Sequence, residues 1–128
     1  MVVEAIFIGV ITVTSYRAVP EQTTPECRGR HACTTAIGEN VSELGVAVSQ
    51  DLLASGKVHY RDVLYIDGVG YRIVFDTMHP RLHNAIDVFV YTKQEERTIG
   101  IRHQKVWVIH TPYPYTKKRS RYGQKLSK

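Results

Sequence analysis

Asp76 and Asp87 are the residues of this 128-residue chain best suited to do chemistry. Each adjoins an apolar, strand-like run: Ile73-Val74-Phe75-Asp76 and Ala85-Ile86-Asp87-Val88-Phe89. A carboxylate in such a place sits either at a strand end beside solvent or partly buried against apolar neighbours. Burial disfavours the ionised form and raises the pKa, and a second carboxylate nearby raises one of the two further. A carboxyl that keeps its proton near neutral pH is what a glycosidic oxygen needs in order to leave. The competing reading is the ordinary one, an aspartate that forms a turn or caps a loop.

Other side chains are candidates by association. His79 and His83 lie between the two aspartates, where they would line the same cleft and bind or polarise a substrate; otherwise they are plain loop histidines. His31, His59, His103 and His110 have no partner in the sequence, and no role is assigned to them. Cys27 and Cys33 form no C-x-x-C pair, and no Cys/His cluster has zinc-site spacing, so neither a metal-ligand set nor a cofactor is expected. The two cysteines either close a loop as a disulfide under oxidising conditions or remain free thiols. Eight tyrosines suit a sugar ligand, because aromatic faces stack on pyranose rings. Tyr16, at the end of the first strand, is the groove candidate, with a barrel-rim or core position as the alternative. Trp107 is expected to pack in the core.

The elements that must position these groups are short. Ile11–Tyr16 alternates apolar and polar residues and predicts a strand, with residues 1–10 as a lead-in. Residues 17–38 show no hydrophobic period and carry Pro20, Pro25 and Gly29, a long loop of the kind that is usually functional or disordered. Gly45–Val48 is a β-type run, followed by one helical turn at Gln50–Ala54. Asp62–Ile66 and Tyr71–Asp76 flank Asp67-Gly68-Val69-Gly70, a hairpin signal. Ile86–Tyr91 predicts another strand. Thr92 and Glu95 have capping-box spacing for a helix stopped at Gly100, and Gln104–Ile109 predicts the last strand. About six short strands with one or two short helices make a mostly β domain of barrel size, over residues 11–110.

Composition limits the partners. From Thr111 onward the chain has six basic residues and no acid, which leaves eleven Lys/Arg against twelve Asp/Glu in residues 1–110. The body is near neutral and the basicity belongs to the 111–128 tail, which argues against a nucleic-acid-binding face on the domain. The tail itself suits a solvated extension or adhesion to an anionic polymer or surface. Residues 1–14 contain Glu4, lack a basic start and an A-x-A-like exit, and are too short to span a bilayer. Neither a signal peptide nor a transmembrane segment is expected, which points to the cytoplasm of the producing cell or to a virion.

Several runs together resemble the 3D (three-aspartate) domain family of the double-psi β-barrel group. They are Val13-Thr14-Ser15-Tyr16, Thr35-Ala36-Ile37-Gly38, Gly45-Val46-Ala47-Val48, Asp62–Ile66 with Gly68 and Gly70, Asp76-Thr77, Ile86-Asp87-Val88-Phe89, the 92–100 helix and Val106–Ile109. They span residues 11–109 in order, with the two aspartates eleven positions apart. The group includes membrane-bound lytic transglycosylase A and rare lipoprotein A. The resemblance implies a six-stranded double-psi β-barrel with one or two short helices and a groove for peptidoglycan glycan strands. It also implies cleavage of the β-1,4 bond between N-acetylmuramic acid and N-acetylglucosamine with a 1,6-anhydro product. Asp87 falls on the family's catalytic aspartate and Asp76 on a supporting one. Tyr16, Thr35, His79 and His83 are the substrate-contacting candidates. The chain departs from the pattern at Ser49, which stands where the first of the three aspartates is expected, and at Met78 and His79, which replace two glycines. The small size and lack of a leader fit a phage lysis or virion-associated protein, with virion or tail proteins as further partners. The alternative is a barrel that binds glycan or serves as a structural virion component without cutting.

Overall fold

A computed structural model describes residues 3–17 and 44–112. Thr35 and its loop, Cys27, Cys33 and the basic run from Lys117 lie outside the described residues. The chain forms β1 (Ile6–Tyr16), β2 (Gly45–Val48), α1 (Gln50–Ala54), β3 (Val63–Ile66), β4 (Gly70–Thr77), β5 (Ala85–Phe89), α2 (Lys93–Ile99) and β6 (Arg102–Ile109). The strands close into a barrel in the order β1-β5-β2-β4-β3-β6, with β6 pairing back onto β1. β1/β5 and β2/β4 are parallel, and the other four pairs are antiparallel. The expected six-stranded barrel with short helices is the fold observed.

Period-2 alternation decides what fills it. Ile11 and Val13, Val46 and Val48, Leu64 and Ile66, Ile86 and Val88, and Val106 and Val108 are each at most 1% exposed and point inward. Most are β-branched, a shape that packs well on a pleated surface in a narrow interior. Leu52 of α1 and Val58 after it join the same core cluster.

Two expectations are corrected. The first strand begins at Ile6, inside the supposed lead-in. Ile6, Phe7 and Val10 are exposed though apolar, so the in/out contrast that marks a strand is lost there. A register shift against β6 between Phe7 and Gly9, with Gly9 at φ +122°, keeps the pairing going through an irregular step. Trp107, expected in the core, stands on the outer face because its neighbours Val106 and Val108 take the inward positions. It is the centre of a cross-strand aromatic row, 5.3 Å from Phe7 and 6.0 Å from Tyr65 between ring centroids, with Tyr71 4.9 Å beyond Tyr65.

The helix expected from the capping box forms as read. Thr92 Oγ1 accepts from the Glu95 amide at 3.0 Å, and Glu95 Oε1 accepts from the Thr92 amide at 3.0 Å. Gly100 ends the helix at φ +56°. Thr92→Ala is expected to lower stability by about 1 kcal/mol, measured by urea denaturation. Among the described residues no helix is long and apolar enough to cross a membrane.

Candidate active site

Strand register assembles the carboxylates. On β5, Ile86 and Val88 point inward, so Asp87 between them projects from the outer face. Its partner across the parallel β1/β5 ladder is Thr14, and across the antiparallel β2/β5 ladder it is Ala47. Ala47 in turn pairs with Asp76 of β4, after a register shift between Val46 and Ala47. That shift matters. Simple alternation from the buried Val74 would turn Asp76 inward, whereas the irregular step sets it opposite the outward Ala47. Thr14, Asp87, Ala47 and Asp76 therefore form one row across four strands. The two aspartates are two strand spacings apart, about 10 Å between Cα atoms. Ala47 between them is small and itself buried, at 7% exposure.

The surroundings of Asp87 favour its protonated form. Burial on the barrel wall pushes the carboxyl up to about 6, the hydrogen bond from Thr14 opposes this, and the nearby Glu96 charge adds to it. Thr14 Oγ1 donates to Asp87 Oδ1 at 2.8 Å. Glu96 is itself tied to the end of β1 and the residue after it, by its backbone oxygen accepting from Ser15 Oγ at 3.3 Å and by an ion pair with Arg17 at 3.1 Å. Asp76 Oδ1 accepts from the Thr77 amide at 2.8 Å and is half-buried. The pair thus holds two carboxylates in unlike settings on one face.

Tyr16 lies on the same outer face as Asp87. It pairs with Phe89 in the β1/β5 ladder, edge-on at 5.5 Å between centroids, and is a diagonal neighbour of Asp87. Such neighbours are about 7–8 Å apart between Cα atoms, within the footprint of one or two sugar rings. His79 and His83 sit exposed in the segment joining β4 to β5. His79 Nδ1 accepts from the Arg81 amide at 3.1 Å, which ties the ring into its own turn. His83 lies close enough to Asp51 for its charge to act on that carboxylate. Burial would raise the Asp51 carboxyl, but hydrogen bonds from Ser49 and from the Asn84 amide, with the His83 charge, hold it below its ordinary value.

Ser49 is part of a structural joint. Ser49 is fully buried; its Oγ accepts from the Ala85 amide at 3.0 Å, and its own amide donates to the Ala85 carbonyl at 2.9 Å. Asp51 accepts from the Asn84 amide at 3.1 and 3.2 Å, and Asn84 Nδ2 donates to the Val10 carbonyl at 3.0 Å. These bonds tie α1 to the starts of β5 and the middle of β1. Asp51 is committed to this joint.

Reading along the chain missed Thr14, Ala47 and Glu96. Thr14 had a usable signal, since it alternates with Tyr16 on a strand; Ala47 and Glu96 had none. It also missed that three potential metal ligands, His59, Asp62 and His110, lie together, where no metal set was expected. Two clefts lined by described residues lie away from Asp87. One of about 340 Å³ runs between α2 and the β3–β4 hairpin, lined by Arg72, Glu95 and Arg102 among others, and one of about 490 Å³ lies by β1, Lys57 and His110. Compared with known proteins, the chain matches no family model and no curated relative.

Proposed function

We propose that this protein is a peptidoglycan lytic transglycosylase in which Asp87 is the general acid and base. The observation that carries the reading is a half-buried carboxyl on the outer barrel face, held by Thr14 and raised to about 6. Tyr16 lies beside it on the same face, and Asp76 lies beyond Ala47 in the same row. The protonated carboxyl gives its proton to the glycosidic oxygen as the C1–O bond of the muramyl sugar breaks. The resulting carboxylate then takes the proton of the muramyl 6-hydroxyl, whose oxygen closes on C1 as a 1,6-anhydro ring. The proton returns to Asp87 and no water is consumed, so a second catalytic carboxylate is not required. Asp76 is the assisting carboxylate of this reading. Membership of the 3D family, a double-psi connection and a phage lysis or virion setting belong to this reading.

A second reading, a barrel that binds glycan or serves a virion without cutting, draws support from Ser49. A neutral hydroxyl used up in a buried joint stands where the resemblance calls for a carboxylate. Incubation of the wild type and of Asp87→Asn with purified peptidoglycan, followed by mass spectrometry, separates the two. Anhydro-muropeptides from the wild type alone support the enzyme. Their absence from both, with co-sedimentation on peptidoglycan retained, supports the binder.

A further inference from the structure

Three side chains from two distant stretches meet on the part of the barrel formed by β3 and β6. These strands pair antiparallel with Val63 opposite Ile109, so Asp62 just before β3 and His110 just after β6 arrive at the same end of the ladder. His59, three residues before Asp62, completes the group. Asp62 is fully buried and its carboxylate is fixed from two sides. Oδ2 accepts from the His59 amide at 2.7 Å and Oδ1 from the Thr111 amide at 2.8 Å. His110 Nδ1 lies 2.7 Å from the same Oδ2, His59 Nδ1 lies 3.5 Å from it, and the two ring nitrogens are 3.4 Å apart.

A buried carboxylate is costly unless it is paired with a positive charge or bound to a metal. The ion-pair partners of Asp62 among the described residues are these two imidazoles, which supply countercharge only when protonated. One proton joins His110 to Asp62 well, but it leaves His59 Nδ1 at distances too long for a good hydrogen bond to either group. A dication serves all three lone pairs at once. Tetrahedral zinc with ligands at about 2.0–2.1 Å sets its donor atoms about 3.3 Å apart. Two edges of the observed triangle, at 3.4 and 3.5 Å, are already close to that, and the third, at 2.7 Å, has to open by about 0.6 Å.

We propose that His59, Asp62 and His110 form a binding site for a divalent transition-metal cation, with Zn2+ as the ion that fits their geometry. Two imidazoles and one carboxylate are borderline ligands that suit such ions, and three protein ligands leave a fourth position open. The His59 and His110 side chains are 54% and 38% exposed, so an ion reaches them from solvent. His110 also lines the 490 Å³ cleft beside Phe7, Lys57 and Val108, so space for a small exogenous ligand adjoins the site. The ion would staple the start of β3 to the end of β6.

The test uses the full chain, freed of metal by chelation and titrated with Zn2+ by calorimetry and with Co2+ by visible absorption. One equivalent is expected to bind, with a rise in Tm and the intense visible band of tetrahedral Co2+. His59→Ala combined with His110→Ala removes only exposed rings, and its folding is checked by circular dichroism. It should weaken binding by more than about 100-fold, beyond the 10–100-fold typical of losing an outer-shell partner, and abolish the Tm rise. His79→Ala with His83→Ala should change neither. Unchanged binding in the His59/His110 variant would place the ion on other histidines or cysteines of the chain and overturn the proposal. Absence of both binding and a Tm rise in the wild type would overturn it as well.

Discussion

Under the proposed transglycosylase reading, Asp87→Asn is expected to lower glycan cleavage by about 10²–10⁴-fold, the range associated with loss of a general acid, while making the folded barrel more stable above pH 6. The two effects have one cause. Burial raises the Asp87 carboxyl from 3.8 to about 6, with Thr14 opposing and Glu96 reinforcing. The folded chain therefore holds a proton that the unfolded chain releases near its ordinary carboxylate value. Between those two points the native state binds more protons, so stability falls as pH rises from about 4 to about 6 and stays reduced above. Each pH unit between the two values corresponds to about 1.4 kcal/mol, which makes the penalty of the order of 3 kcal/mol at pH 8. Asparagine keeps an acceptor for Thr14 and carries no charge. The variant should match the wild type below pH 4 and exceed it by up to about 3 kcal/mol at pH 8 in urea denaturation. In the active protein kcat/KM should decline as pH rises through about 6, because the form that donates the proton is lost. A variant no more stable than wild type at pH 8 would mean that Asp87 is not held in a disfavoured charge state, and the acid role would lose its basis.

Asp62→Ala should be the most damaging single change outside the barrel interior. It removes the acceptor for the His59 amide, the Thr111 amide and His110 Nδ1 at one buried point. A buried donor left without a partner costs about 1–3 kcal/mol, and solvent at the barrel end relieves part of it, so a loss of about 3 kcal/mol is expected. The damage should be local as well as global. Hydrogen exchange of the His59 and Thr111 amides should accelerate more than that of Val46 or Val88 in the core. Asp62→Asn, which keeps one acceptor oxygen, should fall between the two. A loss under 1 kcal/mol for Asp62→Ala would show that the carboxylate is dispensable to the joint.

Much of the local structure was legible in the residues alone. Gly45–Val48, Gln50–Ala54 and the hairpin around Gly68 lie where periodicity and turn chemistry put them, because those signals act over a few residues. The capping box is a contact between positions three apart and needs nothing further. Asp87 stood out because apolar residues on both sides of an acid announce burial, and burial does raise its pKa. The start of β1 and the direction of Trp107 were not legible. An apolar residue on the outer face of a barrel reads the same as one inside, and only the strand's phase against its neighbours tells them apart.

Asp87 as a candidate acid is thus a matter of sequence, and its setting is a matter of tertiary structure. An apolar run placed it on a strand and its apolar flanks marked it. The parallel β1/β5 pairing, which no local pattern encodes, brought Thr14 to its carboxylate across 73 positions. The irregular step between β2 and β4 turned Asp76 onto the same face. His59, Asp62 and His110 make the point most strongly, since 48 positions separate His110 from Asp62 and neither stretch has metal-site spacing. Local preferences decide what each segment becomes. Which segments then lie side by side is decided by closing one apolar interior, and the groups proposed for chemistry meet only through that closure.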